Sequence, residues 1–231
     1  MKNKPYSYVG FAFIILIFGI FVVRNYKHHA EPRNTRLNHV EEELPNKSGL
    51  GYIVLNNKAR KMPAFAFTNQ NNQTITNVDF EGKVFVVEFF FTTCPSICPI
   101  MTKNMRVLEK EYGQKKDFGI ASFTINPSVD TPLKLKEYAE QYGVTSLNWH
   151  FLTGNRDTMF EMANKGLNIF AGINPEVAGG FEHQGFFALV DQNGYLRSRK
   201  DQYGNPKIFY QGIDLKEVTM IKEDIQLLLD E

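Results

Sequence analysis

A chain of 231 residues with 43% hydrophobic and 22% charged side chains can bury one substantial core, so one globular domain is expected beside whatever the N-terminus does. The formal net charge of +1, with Lys and Arg dispersed among Asp and Glu, argues against nucleic acid as a partner. Two cysteines are too few for a disulfide scaffold, so any pairing between them is chemical rather than architectural.

Residues 1–6 are a short tail. The run SYVGFAFIILIFGIFVV, residues 7–23, carries no charge and, at about 1.5 Å per residue, covers most of a hydrocarbon core about 30 Å thick. No small-x-small cleavage site follows it, so it reads as an uncleaved transmembrane anchor. Lys2 and Lys4 on one side nearly balance Arg24, Lys27, Arg33 and Arg36 on the other, and charge does not orient the span. Residues 24–50 form a polar tether. His28 and His29 within it could meet a metal, but a solvated pair in a linker ordinarily has no specific role.

Residues 51–231 make the domain. Short strands are expected at 52–55 and 65–68, the second turning through Asn69 to Asn72 into 74–78. The segment 83–91, KVFVVEFFF, is almost continuously apolar and suits a central strand buried on both faces. It runs into Thr92-Thr-Cys94-Pro-Ser-Ile-Cys98-Pro99, at the strand's C-terminal end, where open α/β sheets place their chemistry. A helix should start at Pro99 with Cys98 as N-cap and stop at Gly113 as C′ residue. Residues 118–125 form the next buried strand. Asp130 or Thr131 then caps a helix opened by Pro132 and closed at Gly143, and Asn155 caps a helix reaching Lys165 after a strand at 149–152. Residues 166–180, rich in Gly and Asn, are a candidate gate. Asn193-Gly194 turns a hairpin, and Asp214 with Glu217 resembles a capping box opening an amphipathic helix over 215–229. This order of elements is that of an α/β, thioredoxin-like sheet.

Two thiols four positions apart can join each other or grip one soft metal ion. A helix N-terminus facing both sulfurs favours thiolate. Three intervening residues suit two bonds to one ion better than rapid disulfide cycling, without forbidding either. A bis-thiolate site favours Cu(I), Zn(II) or an iron–sulfur cluster, though two cysteines cannot complete a four-cysteine cluster. The candidate third ligand is His183, just before a buried strand and just after the glycine-rich loop. His150 is expected to pack or face solvent, and Met101 and Met105 to fill core. Two thiolates and an imidazole suit three-coordinate Cu(I) and leave Zn(II) one ligand short.

The segments Phe-Phe-Thr-Thr-Cys94-Pro-Ser-Ile-Cys98-Pro99, Ser122-Phe-Thr-Ile-Asn-Pro-Ser-Val-Asp130-Thr-Pro132, Trp149-His-Phe-Leu-Thr-Gly154 and that around His183 together resemble the Sco/SenC family across about residues 50 to 230. The resemblance implies a membrane-tethered, thioredoxin-like copper chaperone. Cys94, Cys98 and His183 would be the copper ligands, and the partner would be cytochrome c oxidase subunit II, whose CuA centre is assembled, or another copper-receiving protein. It also places the domain outside the cytoplasm, in the periplasm or the mitochondrial intermembrane space, and with no Arg- and Ser-rich presequence before the anchor the expectation is a single-pass anchor in the inner (cytoplasmic) membrane with the domain in the periplasm. Asn126 departs from the family, which usually has aspartate there. An alternative is a thiol–disulfide reductase, with Cys94 and Cys98 as the redox-active pair. Peroxidase chemistry is disfavoured because Phe91 stands where peroxiredoxins place threonine.

Overall fold

The structure, a computed structural model, describes residues 12, 14–23, 44 and 46–231. The expected anchor lies partly outside these residues, as do most of the tether and both His28 and His29. Residues 14–23 are helical with exposed apolar side chains, and among the described residues no helix is long and apolar enough to cross a membrane.

The chain forms strands β1 (Gly51–Tyr52), β2 (Val54–Leu55), β3 (Lys58–Ala59), β4 (Ala66–Asn69), β5 (Thr74–Thr76) and β6 (Val84–Phe90), then helix α1 (Cys98–Tyr112) and β7 (Phe118–Thr124). Helix α2 (Pro132–Gln141), β8 (Trp149–Thr153), α3 (Arg156–Glu161) and β9 (Ala171–Ile173) follow. The chain ends through β10 (Phe181–His183), β11 (Phe186–Val190), β12 (Leu196–Ser198), β13 (Tyr210–Gln211) and α4 (Leu215–Leu229). The main sheet runs β1-β12-β11-β6-β7-β8-β4-β5, with β13 also on β11. Strand β6 sits at its centre. It is parallel to β7 from Val84↔Phe118 to Phe90↔Thr124 and antiparallel to β11 through Ala188↔Val87.

All seven residues of β6 are buried, because both faces are covered, as its almost continuously apolar run implies. Alternation sends Phe89 toward Phe123, which packs on Phe65 and Phe67, whereas Phe90 meets Tyr138 of α2 on the other face. That second face also carries α1 and α4: Thr102 Oγ1 of α1 is 2.8 Å from the Tyr138 hydroxyl, and Tyr112 donates to Lys222 O. Met101 and Met105 are fully buried there as core.

Several local expectations are corrected. Helix α1 begins at Cys98 itself, with Ile97 as N-cap and no side-chain cap. Gly113 ends α1 at φ −63, not left-handed. Glycine is needed there because a Cβ would sit 2.5 Å from Glu109 O. Thr131 caps α2 by accepting from Lys134 N, which leaves Asp130 for another role. Strand β5 stops at Thr76, where a reciprocal Thr76–Asp79 box opens a 3-10 turn at Asn77–Phe80. Asn155 caps α3 as expected, but the helix widens into a π-turn over Met162–Leu167. At α4, Asp214 accepts from Lys216 N. Glu217 does not reach back to the cap backbone and instead accepts from Lys207 Nζ and Gln211 N. The loose stretch 166–180 holds β9, which pairs with β10.

Candidate metal centre

Thr92 begins the loop that leaves β6, and Asp130 grips it. The buried Asp130 carboxylate accepts from Thr92 N at 3.1 Å, from the Thr92 hydroxyl and from the Thr124 hydroxyl. Two adjacent strand ends are thereby tied together, and the following turn is closed by Cys94 N donating to Phe91 O. This role was hidden in the sequence, where Asp130 reads as a cap. Asn126 is buried at the same loop; its side chain accepts from Ser128 Oγ and its carbonyl from Asp130 N.

His183 arrives from elsewhere. The β9–β10 hairpin, in register His183↔Ala171, lies over the cysteine loop. Its turn approaches so closely that a Cβ on Gly179 (φ +95) would be 2.8 Å from Phe91 Cε2. The Phe91 ring packs edge-on against His183 and also meets Phe181. A cavity of about 190 Å³ opens between hairpin and loop, lined by Phe91, Cys94, Ile97, Val177, Phe181 and His183 among others.

The three residues singled out from sequence meet. One ligand atom each from Cys94, Cys98 and His183 lies within 4.8 Å of the others, and all three residues are buried. Among the described residues no other such group of three His, Cys, Asp or Glu occurs. Cys98 Sγ is 3.1 Å from His183 Nε2, and His183 Nδ1 is 3.2 Å from Gln184 O. A carbonyl only accepts, so Nδ1 carries the hydrogen of that bond and Nε2 turns its lone pair toward sulfur. His150 stays away from the site, beside Asn69 and Phe80, and burial lowers its pKa.

The two sulfurs are unequal in their hold on the proton. The Cys94 thiol is pulled well below the usual range by a hydrogen bond from Cys98, helped by the backbone N–H groups of Cys98 and Ser96 and opposed by burial. The Cys98 thiol is pushed up by burial first and then by Cys94. Two adjacent negative charges in a dry site repel, so the first ionisation falls where amides can stabilise it. A soft cation removes this conflict by bonding both sulfurs, and two sulfurs with one imidazole nitrogen match the donor set and coordination number of Cu(I).

The SCO1/SenC family model matches residues 54–215. The chain is 34% identical over 163 residues to a SCO1 protein homolog of Bacillus subtilis, covering 68% of this chain and 82% of that protein. It is 29% identical over 151 residues to a Stutzerimonas stutzeri protein named for copper binding, covering 63% and 71%. The solved structure of BsSco, a Sco-family cytochrome c oxidase assembly protein with a disulfide switch, superposes with a TM-score of 0.61 at 29% identity, covering 73% of this chain and 93% of that one.

Proposed function

This chain belongs to the SCO1/SenC family, and from that membership and its sulfur–imidazole site we propose a membrane-tethered copper chaperone that delivers Cu(I) for assembly of the CuA centre of cytochrome c oxidase. The observation that carries this reading is the convergence of Cys94, Cys98 and His183 within 4.8 Å. Cys94 presents the ready thiolate, Cys98 supplies the second sulfur, and Nε2 of His183 completes a trigonal shell while Gln184 O holds its ring. The cavity beside Cys94 gives an incoming sulfur ligand access, so copper passes to its recipient by stepwise exchange. The recipient is oxidase subunit II or another copper-receiving protein. The apolar run at residues 7–23 supports a single-pass anchor in the inner membrane, residues 24–50 the tether, and the domain faces the periplasm.

Metal analysis of the reduced protein, purified without oxygen, tests the reading. About one copper per chain is expected, against none in the Cys94→Ser, Cys98→Ser double variant. Equal copper in both sinks it. A second reading, thiol–disulfide reductase, is favoured by the unequal thiols, because an exchange reaction needs one attacking thiolate and one sulfur held in reserve. A reduction potential below that of the target's disulfide would support it.

A further inference from the structure

Strands β9 and β10 form a separate two-stranded sheet whose ladder has three residue pairs, Phe181↔Ile173, Glu182↔Gly172 and His183↔Ala171. A ribbon this short is marginal in water by itself, so its placement is set by what grips it from outside. The turn end is seated on Phe91 through Gly179. The open end, which carries His183, is gripped by a different residue.

That residue is Asn164. Gln184 N donates to Phe170 O at 3.1 Å, and successive residues of an antiparallel pair face opposite edges, so Ala171 turns its N–H and carbonyl away from β10. One side chain takes both. Asn164 Nδ2 donates to Ala171 O at 2.8 Å, and Ala171 N donates to Asn164 Oδ1 at 3.2 Å. The carboxamide stands where a third strand would bond, and a further bond from Nδ2 to Phe160 O at 3.0 Å ties it to α3.

Asn164 lies in the π-turn Met162–Leu167, a local widening of the helix of the kind that recurs at functional sites. The turn is anchored in the domain. Met162, Ala163 and Leu167 are buried, Ile169 N donates to Ala163 O, and a Cβ on Gly166 would be 2.7 Å from Pro63 Cγ. From this anchor a bonded path leads to the ligand. Asn164 holds Ala171; the adjoining Phe170 bonds Gln184 twice, through its carbonyl and by donating to Gln184 Oε1 at 2.9 Å; and Gln184 O accepts from His183 Nδ1. At the far side of that ring, Nε2 is 3.1 Å from Cys98 Sγ.

We infer that Asn164 is the positioning residue for His183: by fixing Ala171 it sets where the imidazole stands relative to the two sulfurs. It reaches the site only through His183. The inference rests on the reading of His183 as a copper ligand, but the placement itself can be read without metal.

Two measurements on the reduced full chain test it. In the metal-free protein, long-range nitrogen–proton NMR of His183, assigned by its loss in His183→Ala, should show the hydrogen on Nδ1 in wild type and both tautomers in Asn164→Ala. Cu(I) competition should find Asn164→Ala weakened about tenfold, the lower end of the loss seen when the partners that orient a metal ligand are removed. Asn164→Asp, which keeps the volume but lacks the donors to Ala171 O and Phe160 O, should be weakened as well. A double-mutant cycle separates positioning from general loosening: in a His183→Ala background, Asn164→Ala should change Cu(I) affinity no further. The same tenfold loss in that background, wild-type affinity in Asn164→Asp, or a His183 signal unchanged in Asn164→Ala overturns the inference. Copper retained by the Cys94→Ser, Cys98→Ser double variant would instead count against the chaperone reading, and the tautomer result stands apart from it.

Discussion

Cys98 Sγ and His183 Nε2 lie 3.1 Å apart although 85 positions separate them in the chain. The imidazole is brought there by a two-stranded hairpin rather than by the main sheet, and the hairpin rests on the ring of Phe91. Ligand assembly therefore depends on how that hairpin packs.

Replacing His183 with Ala should weaken Cu(I) binding by about two orders of magnitude, or about 2.7 kcal/mol, yet leave Cys94 and Cys98 able to form a disulfide. Competition against a chelator of known affinity measures the first effect and thiol counting after mild oxidation the second. Unchanged affinity would remove His183 from the site.

The hairpin itself can be displaced by one methyl group. Gly179→Ala places a Cβ 2.8 Å from Phe91 Cε2 at a φ of +95, so it should lift His183 from the sulfurs and lower Cu(I) affinity about tenfold or more, a loss of about 1.4 kcal/mol. The main sheet does not include this segment, so the thermal transition should change little. A large fall in melting temperature would mean that the hairpin is part of the core.

Asp130→Ala leaves the half-buried Thr92 N and hydroxyl and the buried Thr124 hydroxyl without their acceptor, which should cost about 2–3 kcal/mol. Urea unfolding reads this directly. Asp130→Asn, which keeps one acceptor oxygen, should fall between the variant and wild type.

Glu88 makes stability depend on pH with a definite sign. Burial raises its folded pKa to about 7, above the unfolded value of 4.5, so the folded state binds the proton more tightly. The benefit is complete below the unfolded value and is lost as pH rises through about 7. Glu88→Gln should remove that slope and exceed wild type at pH 8 by about 3 kcal/mol relative to their difference at pH 4. Parallel denaturation curves at the two pH values would contradict it.

Much of the site was legible in the sequence because local chemistry encodes it. Cys94 and Cys98 follow a run that is apolar but for Glu88, and such a run suits a strand covered on both faces, with its end at the rim of the sheet. His183 could be selected by its position before the next buried strand, and β11 does lie beside β6. Residue type and spacing likewise determined the turn at Asn193-Gly194, the cap at Asn155 and the final helix, and narrowed the cap of α2 to Asp130 or Thr131.

Tertiary structure alone decided which group each buried acid serves and which sulfur ionises. Asp130 reads as a helix cap until the loop end carrying Thr92 is seen against it, and Glu88 is one acid in an apolar strand until one oxygen is found bonded to Ser122 and the other unpartnered. The unequal thiols have the same origin, since both cysteines precede proline and look alike in sequence. Proton affinity and hydrogen bonding are set by dehydration and by neighbours distant along the chain, and these exist only once the chain has folded.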